Sequence, residues 1–443
     1  MLRLLSRRQF LTRAAALPLL PSLSAFALRA QAAPSLTVAM PALPDTLDPH
    51  VGGEPARLYT PQVFDSLVVS ADLTIRPALA ESWTVDDDGA TFTLRAGVTF
   101  QNGEPFDAAA VVFNVERALA PDVPERAELR ALMGDITRVD ALDALTVRID
   151  SATPQTLLAR LTYLYMVAPE HTRAQSDDLR YEAWGTGAFQ VVAFQPARTL
   201  DLAAHPDYWG DTSGAIQTLQ LAAFDDPTRL IGTIQRGTAD IVAGAPMDLL
   251  AAIARIYPVA TRQAQTTLIA QFHAEVVPEL ADERVRGALN LALDRALIAD
   301  VAFGGYAEAA SQITPRGVAG YDLSIRTSVY DTASARDLLA EAGVVTLSLE
   351  IGARTDAEIK TAAFLLGFWE GIGMTGAVVS SADPDATPAV TVSTLDVGRF
   401  AAPLSDEVLP LVYPQTVYIY TPGLQGVTVT PDGAIHLWQV ARV

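Results

Sequence analysis

Asp226-Pro227-Thr228-Arg229, the apolar run that follows it to Gln235, and then Gly237-Thr238-Ala239-Asp240-Ile241-Val242 are the stretch on which the fold class turns. Asp226 and Pro227 open a helix, Gly237 breaks it, and Ile241-Val242 continues as a short strand. A helix set between strands makes a layered α/β lobe.

Working outward from this unit, Phe189, Val191 and Ala193 and then Leu200 and Leu202 predict an antiparallel strand pair turning at Pro196-Ala197-Arg198. Glu81-Ser82-Trp83-Thr84-Val85 and Ala90-Thr91-Phe92-Thr93-Leu94-Arg95 predict a hairpin around Asp86-Asp87-Asp88-Gly89. The three aspartates lack the alternating spacing and distal Glu of a calcium loop, so the turn is read as a turn. Asp107 is a candidate N-cap for a helix through 108–115, Leu145 to Asp150 alternates like a half-buried strand, and a helix follows Pro154. Ser35 to Met40 is an opening strand broken by Pro41, Pro44 and Pro49.

Toward the other terminus, Val285, Ala288, Leu289, Ala292, Leu293, Ala296 and Leu297 recur at three- and four-residue steps, predicting one helix from Asp282 to the stop at Gly304-Gly305. Further helices are expected over 332–342 and 356–370, with Leu347, Leu349 and Ile351 alternating as a strand between them. The stretch 380–404 is brief and carries Asp383 and Asp385 with Pro384 and Pro388 beside them.

At 443 residues the chain exceeds one ordinary core. Its 31 basic and 51 acidic residues give a formal charge of -20, which argues against nucleic acid or anionic lipid as a partner. The absence of cysteine excludes disulfides, thiolate metal sites and cysteine nucleophiles. Lys360 is the sole lysine and no glycine loop precedes it, which removes P-loop chemistry. No Gly-x-Ser-x-Gly elbow and no His-Glu-x-x-His helix is present, so an exported hydrolase is a distant alternative and no catalytic residue is assigned. The histidines at 50, 171, 205, 273 and 436 are scattered, and neither metal nor cofactor is expected.

The first segment reads as an address. Ser6-Arg7-Arg8-Gln9-Phe10-Leu11 precedes a small-residue apolar run over 14–27 and then Ala30-Gln31-Ala32, a small-x-small cleavage site. The paired arginines followed by Phe and Leu resemble a twin-arginine export signal, with cleavage expected near Ala32 and a free periplasmic protein as the consequence. The apolar run is interrupted by Pro18 and Pro21 and is too short to span a bilayer.

A series of phrases spread over most of the remaining chain resembles the family 5 solute-binding proteins of ABC importers. They are Thr46-Leu47-Asp48-Pro49-His50, Val63-Phe64-Asp65-Ser66-Leu67, Leu79-Ala80-Glu81-Ser82-Trp83 and the run from Leu94 to Phe106 that contains Thr99-Phe100-Gln101-Asn102-Gly103. Gly185-Thr186-Gly187-Ala188-Phe189, His205-Pro206-Asp207-Tyr208-Trp209-Gly210, Arg284-Val285-Arg286-Gly287-Ala288-Leu289-Asn290 and Tyr330-Asp331 continue the series. The resemblance implies a periplasmic binding protein-like α/β fold of two unequal lobes with hinge strands and an inserted subdomain. It implies further that a solute is enclosed between the lobes and delivered to an ABC permease by a monomer.

Mapped on that resemblance, lobe one comprises 34–55, 185–265 and 415–443, a subdomain over 56–184 is inserted in it, and lobe two spans 266–414. Thr266 to His273 resembles the outgoing crossing strand and Leu411-Val412-Tyr413-Pro414 the return. Lobe two is shortened after Ala377-Val378-Val379, where peptide-binding relatives carry the aspartate that pairs with a peptide amino terminus. Where nickel-binding relatives carry an arginine, this chain has Tyr163 and Tyr165.

The expected cargo is therefore a small organic solute of peptide-like chemistry. A nickel chelate, or a degenerate or sensory paralogue of the fold, stands as the alternative. By position, the expected ligand contacts are Thr46 and Asp48, Tyr163 and Tyr165, Trp184 and Gly185, and Gln271 and His273. Tyrosine and tryptophan offer apolar surface with one polar atom, which suits a cleft for organic solutes. Core packing is the competing role for the aromatics, and capping of a turn for Asp48 before Pro49.

Overall fold

Ser35–Met40 is buried along most of its length and lies between Thr218–Ala223 and Ile241–Ala243, parallel to both. That arrangement follows from the strand–helix–strand unit: Pro227–Gln235 carries the chain over the sheet, and the Asp226 carboxylate accepts from the Arg229 amide at 2.8 Å. Leu230, Ile231 and Ile234 of this helix are buried with Ala39 and Val242 of the sheet. The computed structural model describes residues 34–51, 56–71, 74–121, 123–175, 177–212, 216–245, 247–316, 318, 321–382, 387–397, 407–430 and 433–443. The arginine-pair leader, Asp383 and Asp385 lie outside the described residues.

Antiparallel strands Thr199–Ala204 and Phe189–Gln195 widen this sheet to form lobe one. Lobe two has its own core around Trp369, whose indole donates to the Leu289 carbonyl at 3.0 Å. There Ser348–Ala353 and Thr375–Ser380 run parallel on either side of the crossover helix Asp356–Glu370. That helix starts on a reciprocal cap between Thr355 and Glu358.

The two lobes share one sheet because of a single long strand, Val408–Tyr420. Its first half pairs with Thr266–Phe272 of lobe two, and its second half with Ile241–Ala243 and Val259–Gln263 of lobe one. A separate four-stranded antiparallel sheet carries the hairpin Ala80–Val85 and Gly89–Leu94, followed by Thr146–Ser151 and Ile136–Asp143. The helix Ala108–Leu119, capped by Asp107, contributes Val111 and Val115 to the core of that sheet.

Two sequence expectations differ from the structure. The periodic run after Asp282 is two helices, Glu283–Leu291 and Arg295–Ala302, because Asp294 accepts from the Leu297 amide and starts a second helix. Apolar spacing is similar on both sides of the break, so periodicity alone runs through it. The stretch after Ser380 holds a full strand, Val390–Asp396, inserted between Thr266–Phe272 and Ser348–Ala353. Its backbone needs are met by partners more than a hundred residues away in the first case, which local composition does not reveal.

Candidate functional site

The register across the crossing strands fixes where a ligand cleft lies. In lobe one Ala243 sits opposite Tyr418 while Ile241 sits opposite Tyr420, so the carboxyl ends of the parallel strands point toward the middle of the long strand. In lobe two Thr266 is opposite Asp396 and Phe272 opposite Val390. The carboxyl end of Val390–Asp396, and of the strands parallel to it, therefore points at the same crossing from the other side. Open α/β sheets hold ligands outside the carboxyl ends of their strands, and here two such edges face one hinge.

Tyr163 reaches this hinge. Its hydroxyl donates to Gln265 Oε1 at 2.9 Å, and the Gln265 carbonyl accepts from the Val397 amide at 2.9 Å. Gln265 thus ties the subdomain to the carboxyl edge of lobe two. On that edge Arg354 follows Ser348–Ala353 directly, is exposed, and donates from Nη2 to the Ser381 carbonyl at 3.4 Å. Neither Gln265 nor Arg354 was singled out by sequence; the available signal is a polar residue at the very end or start of a strand.

The other expected contacts are placed elsewhere and do not form one site. Asp48 is buried inside lobe one, in a bidentate pair with Arg117: Nη2 donates to Oδ2 at 2.6 Å and Nη1 to Oδ1 at 2.9 Å. Arg117 also donates through Nε to Asp177 at 2.6 Å, and Arg126 bridges Asp177 at 2.6 Å and Asp48 at 3.4 Å. Burial raises the Asp48 pKa, and the bond and charge of Arg117 more than offset it, holding the carboxyl below its ordinary range.

His50 completes this cluster. Its Nδ1 accepts from Arg117 Nη1 at 2.8 Å and its Nε2 donates to the Tyr165 carbonyl at 2.7 Å, which fixes the neutral Nε2–H tautomer. Burial first, and then the neighbouring guanidinium, push its pKa down to about 4. Asp48 also accepts from the His50 amide at 2.9 Å, and Thr46 Oγ1 accepts from the Asp48 amide at 3.1 Å. Thr46, Asp48 and Tyr165 are therefore brought together, but as a turn locked by internal charges, with the Tyr165 ring packed against the core of lobe one.

Trp184 and Gly185 stand where the subdomain joins lobe one. Trp184 packs on the subdomain core and meets His171 edge-on at 6.2 Å. Gly185 approaches so closely that a Cβ there would sit 2.1 Å from the Val63 carbonyl oxygen. Gln101 stitches the junction: it donates from Nε2 to the carbonyls of Val63, Gly187 and Phe189 at 3.1, 3.1 and 2.8 Å, and accepts from the Gly185 amide at 3.1 Å. Asp65 accepts from Thr186 Oγ1 at 2.9 Å and Trp209 Nε1 at 2.8 Å, and burial pushes its pKa up to about 6. Gln271 and His273 lie at the end of Thr266–Phe272 remote from the hinge, Gln271 exposed and His273 bonded to Thr391 Oγ1 at 2.9 Å.

Two α/β lobes on a shared crossing strand, with facing carboxyl edges, define the class of two-lobed solute-binding proteins. The model of the bacterial extracellular solute-binding proteins, family 5 (middle), matches residues 74–388, and the chain belongs to this family. It is 30% identical over 345 residues to the glutathione-binding protein GsiB of Salmonella paratyphi A, a match covering 76% of this chain and 66% of that one. The aligned part thus spans just under two thirds of that relative's length. The fold is shared with NikA of Brucella suis, solved with Fe(III)-EDTA (TM-score 0.80, 19% identity, 93% of this chain and 100% of that one). It is also shared with the periplasmic binding protein DppA of Helicobacter pylori, solved with the peptide STSA (TM-score 0.74, 18% identity, 92% and 98%).

Proposed function

We propose that this chain is the periplasmic solute-binding component of an ABC importer. It captures a small, peptide-like organic solute between its lobes and delivers it to the permease as a monomer, without catalysing a reaction. The observation that carries the reading is the pair of carboxyl edges facing one hinge. Membership of family 5 and likeness to a glutathione-binding protein support it. A ligand touching both edges favours the closed arrangement by its differential affinity for it, which turns occupancy into a shape a permease can read.

In this reading residues 34–55, 185–265 and 415–443 act as lobe one, 56–184 as the inserted subdomain and 266–414 as lobe two. The twin-arginine leader over 1–32 directs export. Tyr163 contributes a ring and a hydroxyl to the cleft, and Arg354 a cation for a solute carboxylate.

The test is a thermal-stability screen of the purified protein against di- and oligopeptides, glutathione, nickel with histidine, opines and small sugars. A ligand bound only by the folded state raises the melting temperature in proportion to ln(1 + [L]/Kd). A shift with peptides or glutathione, reduced in Tyr163→Ala, supports the reading. A shift with nickel–histidine alone replaces the cargo class, and no shift across the panel overturns the transport role.

A further inference from the structure

Lobe two contains a pocket of about 550 Å³ that none of the foregoing uses. Its size falls within the range of small-molecule sites. Its outer wall stands away from the hinge, with Phe272 and Val408 at the outer ends of their strands, and Ser311, whose amide donates to the Tyr413 hydroxyl at 3.3 Å, forms the wall nearest the crossing. Phe272 is six residues beyond Thr266, which at strand rise is about 20 Å.

The charge of the wall is unusual for a chain whose formal charge is -20. Arg286, Arg295 and Arg326 line the pocket, against a single carboxylate, Glu283. Arg295 is 4% exposed, and its guanidinium is held only by neutral acceptors, the Pro410 carbonyl at 2.9 Å, Asn290 Oδ1 at 2.6 Å and the Asn290 carbonyl at 3.5 Å. Among the described residues no carboxylate lies within ion-pair distance of any of the three. Burial without an anion to offset it pushes the Arg295 pKa down to about 10.

The neutral groups point the same way. Ser311 Oγ is buried in the wall with no hydrogen-bond partner, and Asn290, its oxygen already taken by Arg295, retains its amide donors. Buried polar groups of native proteins are otherwise nearly always satisfied. A preorganised cation, an unused hydroxyl and the exposed Arg326 form a donor set around one cavity, while Arg286 adds positive charge with its Nη1 already donating to the Leu280 and Ala281 carbonyls and Glu283 is the one carboxylate of the lining.

We propose that this pocket binds a small organic anion, carboxylate- or phosphate-bearing, at a site in lobe two separate from the inter-lobe cleft. Arg295 and Asn290 form its fixed floor, Ser311 supplies a hydroxyl donor, and the exposed Arg326 closes on the anion from the loop before Tyr330.

The experiment measures binding of citrate and of glycerol 3-phosphate to the purified protein by calorimetry at constant ionic strength, with glycerol as the neutral control. Binding of citrate alone assigns the site to carboxylates, and of glycerol 3-phosphate alone to phosphates. The expected result is that Arg326→Ala and Ser311→Ala each weaken that binding about tenfold, as loss of one charge-assisted or buried hydrogen bond does. Arg326 is exposed and Ser311→Ala removes only an unpartnered hydroxyl, so the result does not depend on Arg295→Met being stable. Exposed Arg138→Ala, on the subdomain, and Tyr163→Ala, at the hinge, are expected to leave anion affinity unchanged. Loss of binding in Tyr163→Ala with retention in Arg326→Ala would place the anion in the cleft and overturn the proposal. So would the absence of binding of either anion at millimolar concentration.

Discussion

Arg117 and Arg295 are both buried, yet they are solvated by the protein in opposite ways. Arg117 lies among Asp48, Asp177 and His50, with every direction of its guanidinium answered by a charge or a ring nitrogen. Arg295 meets only neutral oxygens, two backbone carbonyls and one side-chain amide, and faces a cavity. The contrast separates two uses of a buried cation: one fastens the turn at Thr46 to the subdomain, and the other is left able to take an anion from outside.

The contrast breaks first if Arg117 proves dispensable. Arg117→Ala leaves the Asp48 carboxylate buried without its bidentate partner, so urea unfolding should show a loss of about 3–5 kcal/mol. Arg295→Met removes a cation that had no counter-ion and leaves its neutral acceptors without that donor. Its cost in the same assay should be about 1–3 kcal/mol. Equal losses for the two variants would erase the distinction.

A pH series sharpens it at the neighbouring junction. His50 is pushed from 6.5 to about 4, so its unfolded form binds the extra proton and its contribution is lost as pH falls from 6.5 toward 4. Asp65 is pushed from 3.8 to about 6, so its folded form binds the extra proton and its contribution is lost as pH rises from 3.8 toward 6. The two slopes oppose each other in the shared window. Asp65→Asn removes the second, so stability relative to the parent should fall by about 3 kcal/mol as pH is lowered from above 6 to below 3.8, followed by urea midpoints at each pH.

Smaller effects complete the series. Gly185→Ala brings a methyl against the backbone of Val63 and should cost about 1–3 kcal/mol in thermal unfolding, because a carbonyl has less freedom to yield than a side chain. Tyr163→Phe gives up one hydroxyl bond to Gln265 and should cost about 0.5–1.5 kcal/mol, with its main effect on solute affinity.

Much of the fold was legible because its signals are local. Asp107, Asp226, Asp331 and the Thr355–Glu358 pair each cap a helix within four residues, and the hairpin turn is closed by Asp86 accepting from Asp88 and Gly89. The phrases that carried the family resemblance meet one another: Gln101 binds the backbone at Val63, Gly185, Gly187 and Phe189, and Asp65 binds Thr186 and Trp209. They mark the joint of subdomain and lobe one, which explains why motif reading found the architecture more readily than the cleft.

The candidate site was less legible. Tyr163 lies at the hinge, but Gln265 and Arg354 carry no motif, and Asp48, expected as a ligand contact or a turn cap, is paired inside the protein with Arg117, 69 positions away. Asp294 likewise divides a periodic run with a single cap.

The α/β class, most of the helix starts, the hairpins and the family follow from local pattern in the chain, because propensity, capping and alternation act over a few neighbouring residues. Only the tertiary structure decided which strands pair across the hinge, which charges are buried together and which arginine is left facing a cavity. Those depend on residues tens to hundreds of positions apart, and a polar side chain's role is set by what surrounds it in space and not by what precedes it in the chain.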